Sequence, residues 1–437
     1  MWHLLPEIVG MSSIMRASRR RLAAHQAQLL VAQMDNVSRN IPFYREFFRR
    51  HRLTPRDFRG TEDLRRLPIV DKHTIRRDPA LFFNETMSAT ACHSSHTSGS
   101  TGEPFRSYFD RRCWVRKKYL SKVRARFACG MRTREKVAIF AAEPPAALAV
   151  KNSKRRLSRV VLDTRYFSVF EEVPAVLGRL GAWRPENAYG PPGHFFHLAQ
   201  VAQRQGMTTP YLRRLYTSSE FLGKPALQFI REVFHAEIYD VYGSTEFKEI
   251  AWECDRHRGY HINEDEVVCE IVQGSAPAPP DEVGDIVLTD LRNRAMPLIR
   301  YRIRDRGRLI GGACPCGRTF SRMEPVAGRA SDYLELPRSG KLSPYLCTTS
   351  IESCAGLLQY QFVQRTATEL LVRVILHESA GPGTLRAIER TLGDVTRGEM
   401  LITVEPVDNI AIEENGKFRV VKNDYTDRRE HAAHRPA

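Results

Sequence analysis

Between Tyr211 and Glu246 the chain changes period twice. "YLRRLYTSSEFL" reads as a strand, "KPALQFIREVFHA" as an amphipathic helix and "EIYDVYGSTE" as a second strand. That alternation predicts a layered α/β architecture, in which helices cover the faces of a sheet. Upstream, residues 15–65 read as helical, interrupted by "RNIPFYREFFRR". "DRRCWVRKKYLSKVRARFACG" reads as a helix closed by Gly130, and "EKVAIFAAE" as a buried strand. From "GDIVLTDL" to "GRLI" the texture is strand and turn. Beyond Arg329 it changes again: two strands around a polar turn, the helix "GTLRAIERTLGDV" and the strand "EMLITVEPV". A chain of 437 residues exceeds one ordinary core, so this last stretch is expected to be a separate, compact α+β domain.

Composition removes several function classes. With 42% hydrophobic and 27% charged residues the chain is globular rather than disordered. No apolar run is long enough to span a bilayer. The amino terminus lacks the charge order and small-residue site of a signal peptide, so a cytoplasmic protein is expected. Nine cysteines then point to thiols or metal ligands rather than a disulfide framework. The net charge of +17 is spread over scattered arginine runs without a nucleic-acid-binding motif. It favours polyanionic small ligands, such as nucleotides, over nucleic acid.

The stretch "HTSGSTGEPF" concentrates small hydroxyl residues and glycines. Hydroxyls and free backbone N–H groups can wrap phosphate oxygens, with Gly99 and Gly102 letting the backbone come close. Glu103 stands where a Walker loop needs its lysine. By itself the loop suits a phosphate cradle and a solvated linker equally. It has company in "YDVYGSTEF" (239–247), "LIRYRIRDRGRL" with Asp305, and "VAGRASD" with Arg329. Alone, these too could be a strand-ending turn and a surface ion pair.

Together, with "IPFYREFF", "LPIVDKHTIRRD", "QYQFVQR" and "GKFRVV", they resemble the adenylate-forming superfamily over most of the chain. Within it they resemble the phenylacetate–CoA ligase-like branch, which includes coenzyme F390 synthetase-like and capsule-cluster ligase-like proteins. The resemblance implies a large N-terminal ATP- and acyl-binding domain (1–327) of layered α/β sheets. It also implies a small mobile α+β domain (328–437), with a hinge near 329–332. Thr97, Ser98, Gly99, Ser100, Thr101 and Gly102 would hold the β- and γ-phosphates of ATP. Tyr242 would pack on adenine beside Ser219 and Glu220, with Gly243, Ser244 and Thr245 along the α-phosphate. Glu246 would hold Mg²⁺, a hard cation that prefers oxygen ligands. Asp305 would accept from the ribose hydroxyls and Arg329 would sit at the hinge. Lys417 would bridge carboxylate and α-phosphate, offsetting charge that develops at phosphorus.

Three departures stand out. Ser331 occupies the usual pivot aspartate, moving that role to Asp332 or putting it in doubt. Ser219 replaces a common glycine, and "YGPPGHFF" (189–196) replaces a Gly-Tyr-Pro-Ser run. The thiols and imidazoles of "CDRHRGYH" and "CPCGR" suit tetrahedral Zn²⁺, and are equally compatible with buried cysteines beside a surface histidine. The branch's pattern selects Cys254, His261, Cys314 and Cys316 as a structural Zn²⁺ set, with His257 as substitute. The implied reaction forms an acyl-adenylate from ATP and a carboxylic acid, aryl or related, then transfers the acyl group to CoA. Transfer to an amine, a hydroxyl or a carrier-protein thiol is the alternative, and a non-catalytic nucleotide-binding protein is a third reading. A homodimer is compatible with all of them. Lys248 is a candidate partner for a second substrate carboxylate.

Overall fold

The computed structural model describes residues 5–96, 105–153, 163–329, 333–413 and 418–425. The chain forms two compact units. The first combines residues 1–130 with 241–326, the second 131–240 with 327–437.

The first unit opens with helix Arg19–Asn40, whose first turn is capped by the Ser18 hydroxyl accepting from the Arg21 N–H. Helix Pro42–Arg50 follows, its proline at the first turn, where a missing N–H costs nothing. A longer helical run starts at Arg111 and contains one π-turn, Arg116–Leu120, before continuing to Ala128. Gly130, at φ +85°, supplies the left-handed residue that ends it. The sheet of this unit is largely antiparallel. Val267–Gln273 pairs with Gly284–Asp290, and that strand with Tyr301–Ile310. Tyr260–Ile262 pairs with both Arg322–Met323 and Lys248–Glu253, and the latter pairs with Val241–Ser244. Leu30, Tyr44, Phe58, Phe247, Ile286, Ile299 and Met323 lie in its core, each essentially sealed from solvent.

The second unit holds parallel strands Asp163–Ser168, Lys136–Ala141, Asn187–Gly190 and Arg214–Ser218, neighbouring in that order. The connections run through helices Val173–Trp183 and Pro192–Arg204, and helix Lys224–Phe234 follows the last strand, the doubly wound pattern. A second, four-stranded sheet joins Leu401–Pro406, Glu369–Leu376, Leu357–Gln364 and Val421–Asn423 in that order. Helix Thr384–Val395 buries Ile388 and Leu392 in a core with Phe362, Val372 and Val374. The fold is thus α/β with a smaller C-terminal α+β part, as the period changes predict.

Candidate functional site

The Tyr-Gly-Ser-Thr-Glu run closes strand Glu237–Ser244 and turns tightly into strand Lys248–Glu253. The ladder slips by one residue between Tyr242 and Gly243, so the motif sits on a β-bulge, a device that re-aims side chains. Gly243 is required there, because a Cβ would run into the Lys248 carbonyl. The Phe247 N–H donates to Ser244 Oγ at 3.1 Å, and the Phe247 ring, fully buried, anchors the turn.

Strand Tyr301–Ile310 delivers two groups to this turn. The Tyr242 hydroxyl donates to Asp305 Oδ2 at 2.8 Å. The Tyr301 hydroxyl lies 3.4 Å from Glu246 Oε1, and burial, reinforced by the Glu246 charge, pushes that phenol upward so that it stays a donor. Asp305 sits in a second bulge: Arg302 faces Val287 and Arg306 faces Asp285, with Arg304 left-handed at φ +71°. Two bulges therefore place two hydrogen-bonded pairs at this turn, Tyr242 with Asp305 and Tyr301 with Glu246.

The hydroxyl loop Thr97, Ser98, Gly99, Ser100, Thr101 and Gly102 lies outside the described residues. Its flanks do not: His93–His96 pairs antiparallel with Arg106–Phe109, with His96 opposite Arg106. Lys417, Ser331 and Asp332 also lie outside the described residues, and Arg329 ends strand Arg322–Arg329.

In the second unit, Ser219 adopts φ +79°. That explains why glycine is usual at this position, since left-handed backbone strains a residue with a Cβ. Ser219 Oγ is 3.3 Å from Ser218 Oγ, which in turn is 2.8 Å from the Tyr189 hydroxyl. Glu220 accepts from two backbone amides, Gly193 at 3.0 Å and Phe418 at 2.9 Å. The residue after Lys417 is thus docked on the carboxylate beside Ser219. Phe195 and Phe196 are buried in this unit's core.

The four thiol and imidazole residues converge. The ligand atoms of Cys254, His261, Cys314 and Cys316 all lie within 4.8 Å of one another. Cys254 Sγ is 3.7 Å from Cys314 Sγ, and Cys316 Sγ is 3.3 Å from His261 Nε2. His261 Nδ1 faces the Phe320 carbonyl at 3.1 Å, which fixes the tautomer that leaves Nε2 a ligand atom. Burial pushes the Cys254 thiol up to about 12 and the His261 imidazole down to about 4, so the imidazole is neutral at pH 7. His257 is turned away, its Nδ1 3.5 Å from Glu253.

Two features escaped the sequence reading. Tyr301 is one, since no period separates it from the apolar strand positions around it. The other lies along the helical run from Arg111, read as an ordinary basic helix. Lys117 Nζ is 2.8 Å from Asp290, both nearly inaccessible, and Arg116 and Arg124 bind Asp265 at 3.0 and 2.8 Å. Four consecutive positions, Arg116, Lys117, Lys118 and Tyr119, cannot all face solvent on one helix, and that was the available signal.

Comparison with known proteins agrees with this arrangement. Residues 334–424 match the CapK C-terminal domain family. A phenylacetate–coenzyme A ligase of Thermus thermophilus is 29% identical over 332 residues, 72% of each chain. The Escherichia coli phenylacetate–coenzyme A ligase is 27% identical over 344 residues, 73% of each chain. The crystal structure of a 2-hydroxyisobutyryl-CoA ligase superposes with a TM-score of 0.76 at 22% identity, covering 93% of this chain and 90% of that one, a likeness of fold. Fold, ordered motifs and the C-terminal match thus agree in making the chain similar to the phenylacetate–CoA ligase-like branch of the adenylate-forming superfamily.

Proposed function

We propose that the protein is an AMP-forming acid–thiol ligase acting on ATP, a carboxylic acid and CoA. A carboxylate oxygen attacks the α-phosphorus of ATP, the bond to the β-phosphate oxygen breaks, and pyrophosphate leaves an acyl-adenylate behind. A thiol sulfur then attacks the acyl carbon, and AMP departs as the thioester forms. The observation that carries this reading is the two hydrogen-bonded pairs, Tyr242–Asp305 and Glu246–Tyr301, at the Tyr-Gly-Ser-Thr-Glu turn. Asp305 would accept from ribose hydroxyls, and Glu246 would offer a carboxylate oxygen to Mg²⁺. Thr97 to Gly102 would hold the β- and γ-phosphates through hydroxyls and backbone N–H groups.

Lys417 neutralises charge at the α-phosphorus during adenylation. Support comes from Phe418, whose amide is held by Glu220 next to Ser219. Residues 328–437 act as the small moving domain, pivoting at 329–332 so that one site serves two steps. Cys254, His261, Cys314 and Cys316 hold one structural Zn²⁺; a closed set of four leaves no position for substrate.

The test is pyrophosphate release from ATP and Mg²⁺ across aryl, fatty and amino acids, with and without CoA. Acid-dependent release, with AMP and acyl-CoA appearing only when CoA is added, is the expected result. Release without thioester moves the acceptor to an amine, a hydroxyl or a carrier thiol. Silence across the acids with ATP still bound overturns the reading.

A further inference from the structure

The residue that follows Phe247 in the turn is a lysine in an unusual setting. Lys248 is left-handed at φ +63° and half-buried, and its ammonium reaches the strand His93–His96. Nζ donates to Ser95 Oγ at 2.6 Å and to the Thr245 carbonyl at 2.9 Å. Ser95 stands two residues before the hydroxyl loop, and Thr245 belongs to the α-phosphate side of the motif. The ammonium therefore lies between the two phosphate-handling elements. Its walls are aromatic: the ring centroids of Phe109 and Trp114 lie 5.0 and 5.1 Å from Nζ. His93 stacks on the far side of that recess, 5.0 Å from the indole at 9°.

The electrostatics are lopsided. Among the described residues, both acceptors of the Lys248 ammonium are neutral, and an ammonium has three N–H bonds to place. Lys118 Nζ stands 4.3 Å from the same Trp114 ring. Burial, then repulsion from Lys118 and Lys122, press the Lys248 ammonium down to about 8, with Glu246 opposing and Lys117 adding. The acid next in sequence gives no help: Glu249 is buried, one of its oxygens has no hydrogen-bond partner, and burial pushes it toward the neutral form. Among the described residues this half-buried cation has only neutral hydrogen-bond acceptors, and a ligand that brings an anion into contact with it gains energy.

We propose that Lys248 recognises a second anionic group on the acid, so that the protein activates a diacid, one carboxylate for adenylation and one for Lys248. This rests on the ligase reading above and names its substrate class. The apolar walls suit a hydrocarbon spacer, aromatic or aliphatic, that lies against Trp114 and Phe109 between the two carboxylates.

Matched acid pairs test this: phenylacetate against 4-carboxyphenylacetate, benzoate against terephthalate, and hexanoate against adipate. The quantity is the diacid-to-monoacid ratio of kcat/KM for pyrophosphate release. The wild type should prefer the diacid of at least one pair by about 30-fold, the scale of one charge-assisted contact. In Lys248→Met that ratio should collapse to within about threefold of unity, mainly through KM, and Lys248→Arg should recover part of it. A variant that is merely damaged loses both acids together and keeps the ratio, which overturns the assignment. Ratios near unity in the wild type with monoacids turned over also overturn it, and leave the ligase reading standing. Pyrophosphate release from no acid at all overturns the ligase reading and this inference with it.

Discussion

Cys254→Ser is the sharpest perturbation the structure offers. In a tetrahedron the ligand–ligand edge is about 1.63 times the metal–ligand bond, so a zinc–thiolate bond of about 2.3 Å requires sulfurs about 3.75 Å apart. Cys254 and Cys314 are 3.7 Å apart. The mixed edge, with zinc–nitrogen about 2.05 Å, should be about 3.5 Å. Cys316 and His261 are 3.3 Å apart. The cluster is thus already spaced for one ion. Structural zinc is worth about 10–16 kcal/mol over four ligands, so removing one ligand should cost about 3 kcal/mol, or two decades of affinity. Serine keeps the volume but its hydroxyl does not ionise at pH 7. The wild type should carry about one zinc per chain by elemental analysis. Cys254→Ser should lose it to a chelator at about 100-fold lower concentration and melt earlier. Cys92→Ser, outside the cluster, should behave as wild type. A metal-free wild type whose cluster thiols titrate freely, or Cys254→Ser with unchanged chelator resistance, would refute the reasoning.

Lys417→Ala should lower adenylation by about three decades while nucleotide still binds, the expected size for removing a charge aimed at the transition state. Near-normal pyrophosphate release in that variant removes the assigned role. Lys117→Met leaves the Asp290 carboxylate sealed without its ammonium, so urea unfolding should show a loss of about 3–5 kcal/mol. A loss under about 1 kcal/mol would show that the two backbone amides on Asp290 Oδ1, from Arg292 and Asn293, suffice. Lys248 is pressed down to about 8, so its cation is present below that pH and is lost above it. The preference for a diacid should accordingly hold below pH 8 and fall about tenfold per unit above it, whereas a flat ratio to pH 10 would exclude an ammonium.

What the sequence revealed and what it hid divide along physical lines. Gly243, Tyr242, Glu246 and Asp305 are legible only as members of an ordered set of motifs resembling a family, and the structure adds the bulge that excludes a Cβ at Gly243. Cys254, His261, Cys314 and Cys316 are legible through the family pattern, and the structure brings their ligand atoms within 4.8 Å of one another. The hidden part is the helical run from Arg111. Its π-turn shifts register by one residue, and Ser121 Oγ donates to the Arg116 carbonyl at 3.2 Å within that widened turn. The shift is accompanied by a split of neighbouring cations: Arg116 and Lys117 go into the core onto Asp265, Glu266 and Asp290, while Lys118 turns to Trp114. The buried carboxylates come from residues 265–290, more than 140 positions away, as the pairing of Arg116 with Asp265 shows over 149 positions. No local pattern can announce partners at that distance. Yet the split has a functional consequence. Cations matched inside the core cannot serve a ligand, whereas Lys248 meets the same Trp114 indole with two neutral hydrogen-bond acceptors. An overall charge of +17 says only that anions are welcome. The π-turn shows where along this helix two of those charges are already matched, on Asp265, Glu266 and Asp290.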